Sequence, residues 1–153
     1  MENINKLNFD EKKITPIVKD LRAFDMEYFK ELEGGGGWLA LGGDDYQNQK
    51  YFTVYSDKDE KLGIVGVFDT ENGENFAHTV VDPKYRGQGL ATKFKDRLMN
   101  KLGLEFLTLT VSLGNTSSIK AIEKLPGVEK VSDEKYEKEF NKAKYIYKKP
   151  KND

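Results

Sequence analysis

The sequence has no cysteine, which excludes disulfides, thiolate metal sites and a cysteine nucleophile. It has a single histidine, His78, so a metal centre built from several imidazoles is excluded too. No apolar run approaches the roughly 20 residues of a membrane-spanning helix. Met1 to Asp10 lacks the apolar core of a signal peptide. A cytoplasmic protein without membrane partners is therefore expected. No basic stripe interleaved with aromatics is present, so nucleic acid is not the expected partner.

The chain does have nine Phe and eight Tyr in 153 residues, enough for the core of one domain spanning 1–153. The net charge of −1 hides an asymmetry: residues 1–80 sum to −7 and residues 81–153 to +6. One half would suit a cationic ligand and the other an anionic one, or the charges are scattered over a solvated surface.

Along the chain, Ile4, Leu7 and Phe9 offer a short edge strand. Ile17, Leu21, Phe24, Tyr28 and Leu32 recur at three- and four-residue intervals. That spacing predicts helix between Asp10 and Glu33, broken near Pro16 and Asp25. Gly34 to Gly37 stop it. They read either as a lid with Trp38 as its apolar plug or as a loose connection, and with no Gly-Lys-Ser/Thr they are not a nucleotide P-loop. Tyr51–Tyr55 and Leu62–Phe68 read as a hairpin across a charged link. A turn at Asn72-Gly73 leads into a third strand, Asn75–Val81, completing a meander.

Val81-Asp82-Pro83-Lys84-Tyr85-Arg86-Gly87-Gln88-Gly89-Leu90-Ala91-Thr92 follows. Pro83 cannot continue a paired strand, two glycines follow, and then Leu90, Phe94, Leu98 and Leu102 lie four apart. This is a strand, a glycine-rich turn and a helix start, with Gly103 as C-terminal cap. Such a junction aims unpaired N–H groups and the helix dipole at one spot, so Arg86 to Thr92 is expected to hold an anionic phosphate. Leu104–Val111 then reads as a strand parallel to the one before the turn. Asn115–Leu125 reads as a helix capped by Asn115, Thr116 or Ser117. Two last strands, Val128–Val131 and Lys144–Lys149, flank the charged segment Ser132–Lys142.

Val81-x-Pro83 followed by Arg86-x-x-Gly89-x-Ala91 resembles the signature of the GNAT superfamily of acyl-CoA-dependent N-acyltransferases. Gly63-Ile64-Val65-Gly66-Val67-Phe68 is similar to that family's third strand, and Asn115-x-x-Ser118 to its asparagine-led helix. The likeness covers about residues 50–131. It implies an α/β fold: a mixed, mostly antiparallel sheet of six to seven strands, a central splayed parallel pair, and helices on both faces. It also implies acetyl-CoA as co-substrate without a metal, and acetyl transfer to an amine on a small molecule or a protein. The backbone of Gln88, Gly89, Leu90 and Ala91 would hold the pyrophosphate, with Arg86 and Gly87 shaping the turn. Thr79, Val80 and Val81 would bond the pantetheine arm, and Asn115 and Ser118 would lie near the thioester. An amine near pKa 10.4 must lose a proton before attacking, and backbone N–H near Val80 would stabilise the resulting oxyanion.

The family often places a base on the strand before the turn, where His78 and Glu74 stand. Both fall on the strand face opposite residues 75, 77, 79 and 81, unless a bulge reverses one of them. The family's acid tyrosine falls at Ile122, so the acid comes from elsewhere (Tyr136, Tyr145 or Tyr147), from solvent, or is not needed. The substitution leaves a second reading open, a non-catalytic acyl-CoA-binding or protein-interaction module. Glu31, Glu33, Asp44, Asp45 and Asp69 are candidates to attract a cationic acceptor.

Overall fold

The computed structural model describes residues 15–32, 47–69 and 73–148. Among them, seven strands form one sheet: β1 Val18–Ala23, β2 Gln47–Ser56, β3 Lys61–Asp69, β4 Phe76–Val81, β5 Phe106–Ser112, β6 Glu129–Lys130 and β7 Lys142–Lys148. Their spatial order is β1-β2-β3-β4-β5-β7-β6. Every neighbouring pair is antiparallel except β4 and β5, which run parallel. The helices are α1 Met26–Leu32, α2 Leu90–Leu102, α3 Thr116–Glu123 and α4 Glu134–Phe140. The expected mixed sheet with one parallel pair is the observed one. The strand read at residues 1–9, the glycine run 34–37, Trp38, Glu33, Asp44 and Asp45 lie outside the described residues.

The helix expected between Asp10 and Glu33 is corrected at Val18–Ala23, which is strand β1. Val18 joins the core beneath α2, and Leu21 packs against the same cluster. Three residues apart, they would face opposite sides of a regular strand. The register against β2 shifts between Val18 and Asp20, so a bulge at Lys19 returns both to one face. A bulged strand thus imitated a helical spacing. The helix begins later, at Met26, where the Asp25 carboxylate accepts the Tyr28 N–H at 3.1 Å.

The sheet buries both faces. On one, α2 presses Leu90, Phe94 and Leu98 onto Val65, Val67 and Leu107. On the other, Tyr28 and Phe29 of α1 pack with Tyr51, Ile64 and Val80. β3 serves both faces by alternation. Gly66 is required by close approach, because a side-chain carbon there would collide with the Tyr51 ring. Gly103, at φ 68°, ends α2 and donates its N–H to the Met99 carbonyl. The charged segment 132–142 holds a helix the sequence pattern did not show, α4. Asp133 caps it by accepting the Tyr136 N–H at 2.8 Å, and Asn141 ends it at φ 54°.

Candidate active site

The parallel strands β4 and β5 share a single registered pair, Phe76 with Thr108. At that end they are stitched together. The Thr108 N–H donates to the Asn75 carbonyl at 2.9 Å, the Asn75 side-chain amide donates to the Phe106 carbonyl at 3.3 Å, and the Thr108 hydroxyl donates to the Glu74 carbonyl. Beyond it the strands diverge, leaving the β4 edge from Ala77 onward without a strand neighbour on that side among the described residues. On its other side β4 stays paired with β3 through Val81 without a register shift. No bulge reverses the parity of His78.

The divergence opens a cleft of about 390 Å³. Ala77, His78 and Thr79 border it from β4, and Leu109 to Ser112 from β5. Ala91 and Lys95, one turn apart on α2, form a third wall; Asn115, Ser118, Ala121 and Ile122 of α3 form the fourth. Small side chains at 77, 91 and 121 keep it open. The Thr79 hydroxyl is buried against this cleft with no hydrogen-bond partner among the described residues, a rare condition for a buried polar atom.

At its head is the glycine turn. Asp82 is buried. One carboxylate oxygen accepts the Tyr28 hydroxyl at 2.8 Å, and the other accepts the Lys84 N–H at 3.0 Å. Burial and the Asp82 carboxylate push the Tyr28 phenol well above the ordinary tyrosine range. Arg86 reaches back and donates to the Val81 carbonyl at 3.2 Å. Gly87 and Gly89 sit at φ 79° and 74°, left-handed conformations that glycine adopts without strain. A side-chain carbon at either would meet nothing within 4 Å. Their outer face is open, and a side chain there would fill it. The α2 N-terminus has no side-chain cap, so its first N–H groups remain available. The Gln88 side-chain oxygen is buried without a partner. An uncapped 13-residue helix start, an open glycine cradle and two orphaned polar atoms fit a long ligand whose anionic head sits at the turn and whose arm runs into the cleft.

Two residues bordering the cleft, with side chains on opposite faces of the sheet, depart from ordinary ionisation. His78 stands edge-on to the rings of Phe29 and Tyr51, with centroids 6.5 and 6.0 Å away. Burial pushes its imidazole down to about 3, so it is neutral near pH 7. Lys95 is 9% exposed, and burial pushes its ammonium down to about 8 against a smaller opposing pull from Asp96.

Of the residues singled out in the sequence, His78, Thr79, Ala91, Asn115 and Ser118 come together at this cleft. Arg86 to Gly89 form the turn above it, and Thr92 lies in the first turn of α2. Val80 and Leu90 send their side chains into the core, and Val81 packs against the α2 cluster. Glu74 does not border the cleft; it pairs with Lys144 at 3.6 Å. The Asn115 side-chain oxygen caps α3 by accepting the Ser118 N–H at 3.2 Å, leaving its amide nitrogen for other contacts. The tyrosines considered as acids lie elsewhere. Tyr145 donates to Glu123 at 3.0 Å, Tyr147 donates to Asp96 at 2.7 Å, and Tyr136 stacks on Phe140 in α4. The pattern missed Tyr28, Asp82 and Lys95. Only the offset of four from Ala91 hinted that Lys95 turns inward.

The acetyltransferase (GNAT) family model matches residues 18–127. The chain belongs to the GNAT acetyltransferase family. Among solved structures, GNAT likeness extends over most of the chain at low identity. A chimera of the spermidine N-acetyltransferase SpeG from Vibrio cholerae with hSSAT superposes with a TM-score of 0.63 at 13% identity, over 85% of this chain and 95% of that one. A GNAT-family acetyltransferase from Staphylococcus aureus Mu50 gives 0.57 at 11% identity, covering 86% and 99%. The N-acetyltransferase PseH of Campylobacter jejuni, solved with acetyl coenzyme A, gives 0.52 at 15% identity, covering 82% and 77%. No curated protein matches in sequence. Among the described residues, no helix is long and apolar enough to cross a membrane. No group of three or more His, Asp or Glu side chains among them is placed to hold a metal ion.

Proposed function

We propose that this GNAT chain is a cytoplasmic enzyme that transfers an acetyl group from acetyl-CoA to a primary amine by direct attack. The observation that carries the reading is the cleft between the diverging β4 and β5, open beside an uncapped glycine turn and bordered by the unpartnered Thr79 hydroxyl. Bound acetyl-CoA would supply an activated thioester. The N–H groups of Gln88, Gly89, Leu90 and Ala91 would hold its pyrophosphate, with Arg86 and Gly87 keeping the turn in shape and Thr92 in the same helical turn. The free edge from Thr79 to Val81 would pair with the arm as an added strand does. The Asn115 amide and Ser118 would face the far end of the arm.

His78 and Glu74 are then unequal candidates for handling the acceptor's proton. His78 borders the cleft, whereas Glu74 is engaged with Lys144. A neutral imidazole with so low a pKa holds a proton poorly near pH 7. We therefore assign His78 the task of accepting a hydrogen bond from an amine that arrives uncharged, with the proton leaving to solvent. Of the acidic candidates for drawing in a cation, Glu31 lies exposed on α1. Asp69 is occupied in accepting the Asn75 N–H at 3.2 Å. The acceptor's identity stays open, from a polyamine to a protein amine.

Ile122 on the cleft wall supports the second reading, a module that binds acyl-CoA without turning it over. Isothermal titration with acetyl-CoA, followed by thiol release with a panel of amines, separates the two. Thiol release supports the enzyme, binding without release supports the module, and no binding removes both. Gly89→Val should weaken acetyl-CoA binding about tenfold or more while retaining the circular dichroism of the parent. Unimpaired binding in that variant would overturn the assignment of the turn.

A further inference from the structure

Among the described residues, Lys95 is the one charge on the cleft wall. It is 9% exposed, yet among the described residues its ammonium has no hydrogen-bond or ion-pair partner. The groups facing it from each wall are uncharged near pH 7. On the face that carries Lys95, β4 contributes Thr79, β5 contributes Leu109 and Val111, and α3 contributes Asn115 and Ser118, while the His78 ring and, by alternation, Thr110 and Ser112 lie on the other face. On its own helix, Asp96 is the neighbouring carboxylate, and that group accepts the Tyr147 hydroxyl at 2.7 Å. A buried charge without a partner is costly unless a ligand answers it.

The position of Lys95 narrows what that ligand group is. On the proposed reading the N–H groups of Gln88 to Ala91 hold the phosphates, and Lys95 lies one turn further along α2 than Ala91 on the same cleft wall. The ammonium therefore faces the inner part of the ligand. The pantetheine arm is neutral there; negative charge develops first on the carbonyl oxygen, which backbone N–H of β4 would hold, and then on the sulfur as the thioester breaks. We propose, resting on the acetyltransferase reading, that the Lys95 ammonium contacts this sulfur and protonates it. The amine nitrogen forms its bond to the acetyl carbon, and the carbon–sulfur bond breaks with its electron pair on sulfur. Lys95 gives sulfur a proton, the nitrogen releases one to solvent, and Lys95 recovers its proton from solvent. The products are the N-acetylated amine and coenzyme A thiol. An ammonium whose pKa lies near that of a thiol suits this exchange. Lys95 would thereby fill the role that Ile122 leaves open.

The test titrates the thiol of coenzyme A bound to the full chain, by its ultraviolet thiolate absorbance, in wild type, Lys95→Met and Lys95→Arg. A cation within about 4–6 Å should lower the bound thiol's pKa by about one unit or more. The lowering should vanish in Lys95→Met and persist in Lys95→Arg. Turnover with the best amine of the panel should fall about a hundredfold in both, because a guanidinium keeps its proton. A bound thiol that titrates like free coenzyme A in wild type overturns the contact. Full turnover in Lys95→Arg overturns the proton transfer. A preference for acyl groups ending in a carboxylate, lost in Lys95→Met, overturns both by making Lys95 a reader of the acyl group. If wild type fails to bind coenzyme A, the acetyltransferase reading itself falls. Titration calorimetry and a thermal melt on each variant keep these outcomes apart from misfolding.

Discussion

Replacing Lys95 by Met should stabilise the apo chain, in a way that depends on pH. The folded chain lowers the Lys95 pKa from 10.5 to about 8, chiefly by burial. At 1.36 kcal/mol per unit, holding this ammonium in the fold costs about 3 kcal/mol. Below about pH 8 the folded and unfolded chains both carry the proton, so the cost is full and constant. Between about 8 and 10.5 the unfolded chain keeps a proton that the folded chain has released, and stability rises with pH. Near pH 9.5 about 1.5 kcal/mol of the cost remains, and above about 10.5 none. Methionine has nearly the same length and flexibility without the charge. The variant should therefore gain about 3 kcal/mol near neutral pH, or roughly 6–12 °C in Tm for a domain of this size. Urea unfolding followed by circular dichroism, at about pH 7 and about pH 9.5, measures both values. No gain at neutral pH, or a gain that stays the same at the higher pH, refutes the claim of an unpaired buried cation.

Two further perturbations probe the frame of the site. Tyr28→Phe removes the hydroxyl that donates to buried Asp82, which should cost about 1–3 kcal/mol in urea unfolding and weaken acetyl-CoA binding by loosening the turn; unchanged values for both would show that Asp82 needs no such anchor. The His78 imidazole should show no titration from about pH 5 to 8 in its proton chemical shifts, because its pKa lies near 3. Its folded pKa lies below the unfolded one, so its contribution to stability is lost as pH falls from about 6.5. A midpoint near 6.5 would show that the ring is more solvated than its packing against Phe29 and Tyr51 implies.

The sequence disclosed the parts whose physics is local. The β2–β3–β4 meander followed from β-rich runs and turn residues, α2 from its four-residue apolar spacing, and its end from Gly103. Asn115 was legible as a cap because an asparagine before a helix has few other uses. What stayed hidden depended on partners distant in sequence. β1 carries a helical spacing because its bulge at Lys19 is visible only against the β2 register. α4 leaves little trace in the pattern because its apolar contribution is the Tyr136–Phe140 pair, amid charges that read as solvated chain. Lys95 lies next to Phe94 in a helix of ordinary amphipathic form, and lysine in such a place reads as surface. Its burial follows from the cleft, whose walls on β4, β5 and α3 lie 14 residues or more from Lys95 in sequence.

The division of labour at the site rests on one strand. Successive side chains of β4 point to opposite faces of the sheet. Ala77 and Val81 meet the α2 cluster, while Val80 and the His78 ring meet the α1 side with Phe29 and Tyr51. Thr79 shares the face of Ala77 and Val81, which carries Lys95, α3 and the head of the glycine turn. If an arm of coenzyme A lies along the free edge of β4, its thioester has Lys95 on one side of the sheet and His78 on the other. An amine approaching past α1 then meets the carbonyl carbon on the face opposite the proton that the sulfur needs. On the proposed reading, nucleophile and leaving group would be served from separate sides. A one-residue slip in β4 would exchange those sides, so the unbroken register from Gly63–Val81 to Phe68–Phe76 is itself a condition of the chemistry.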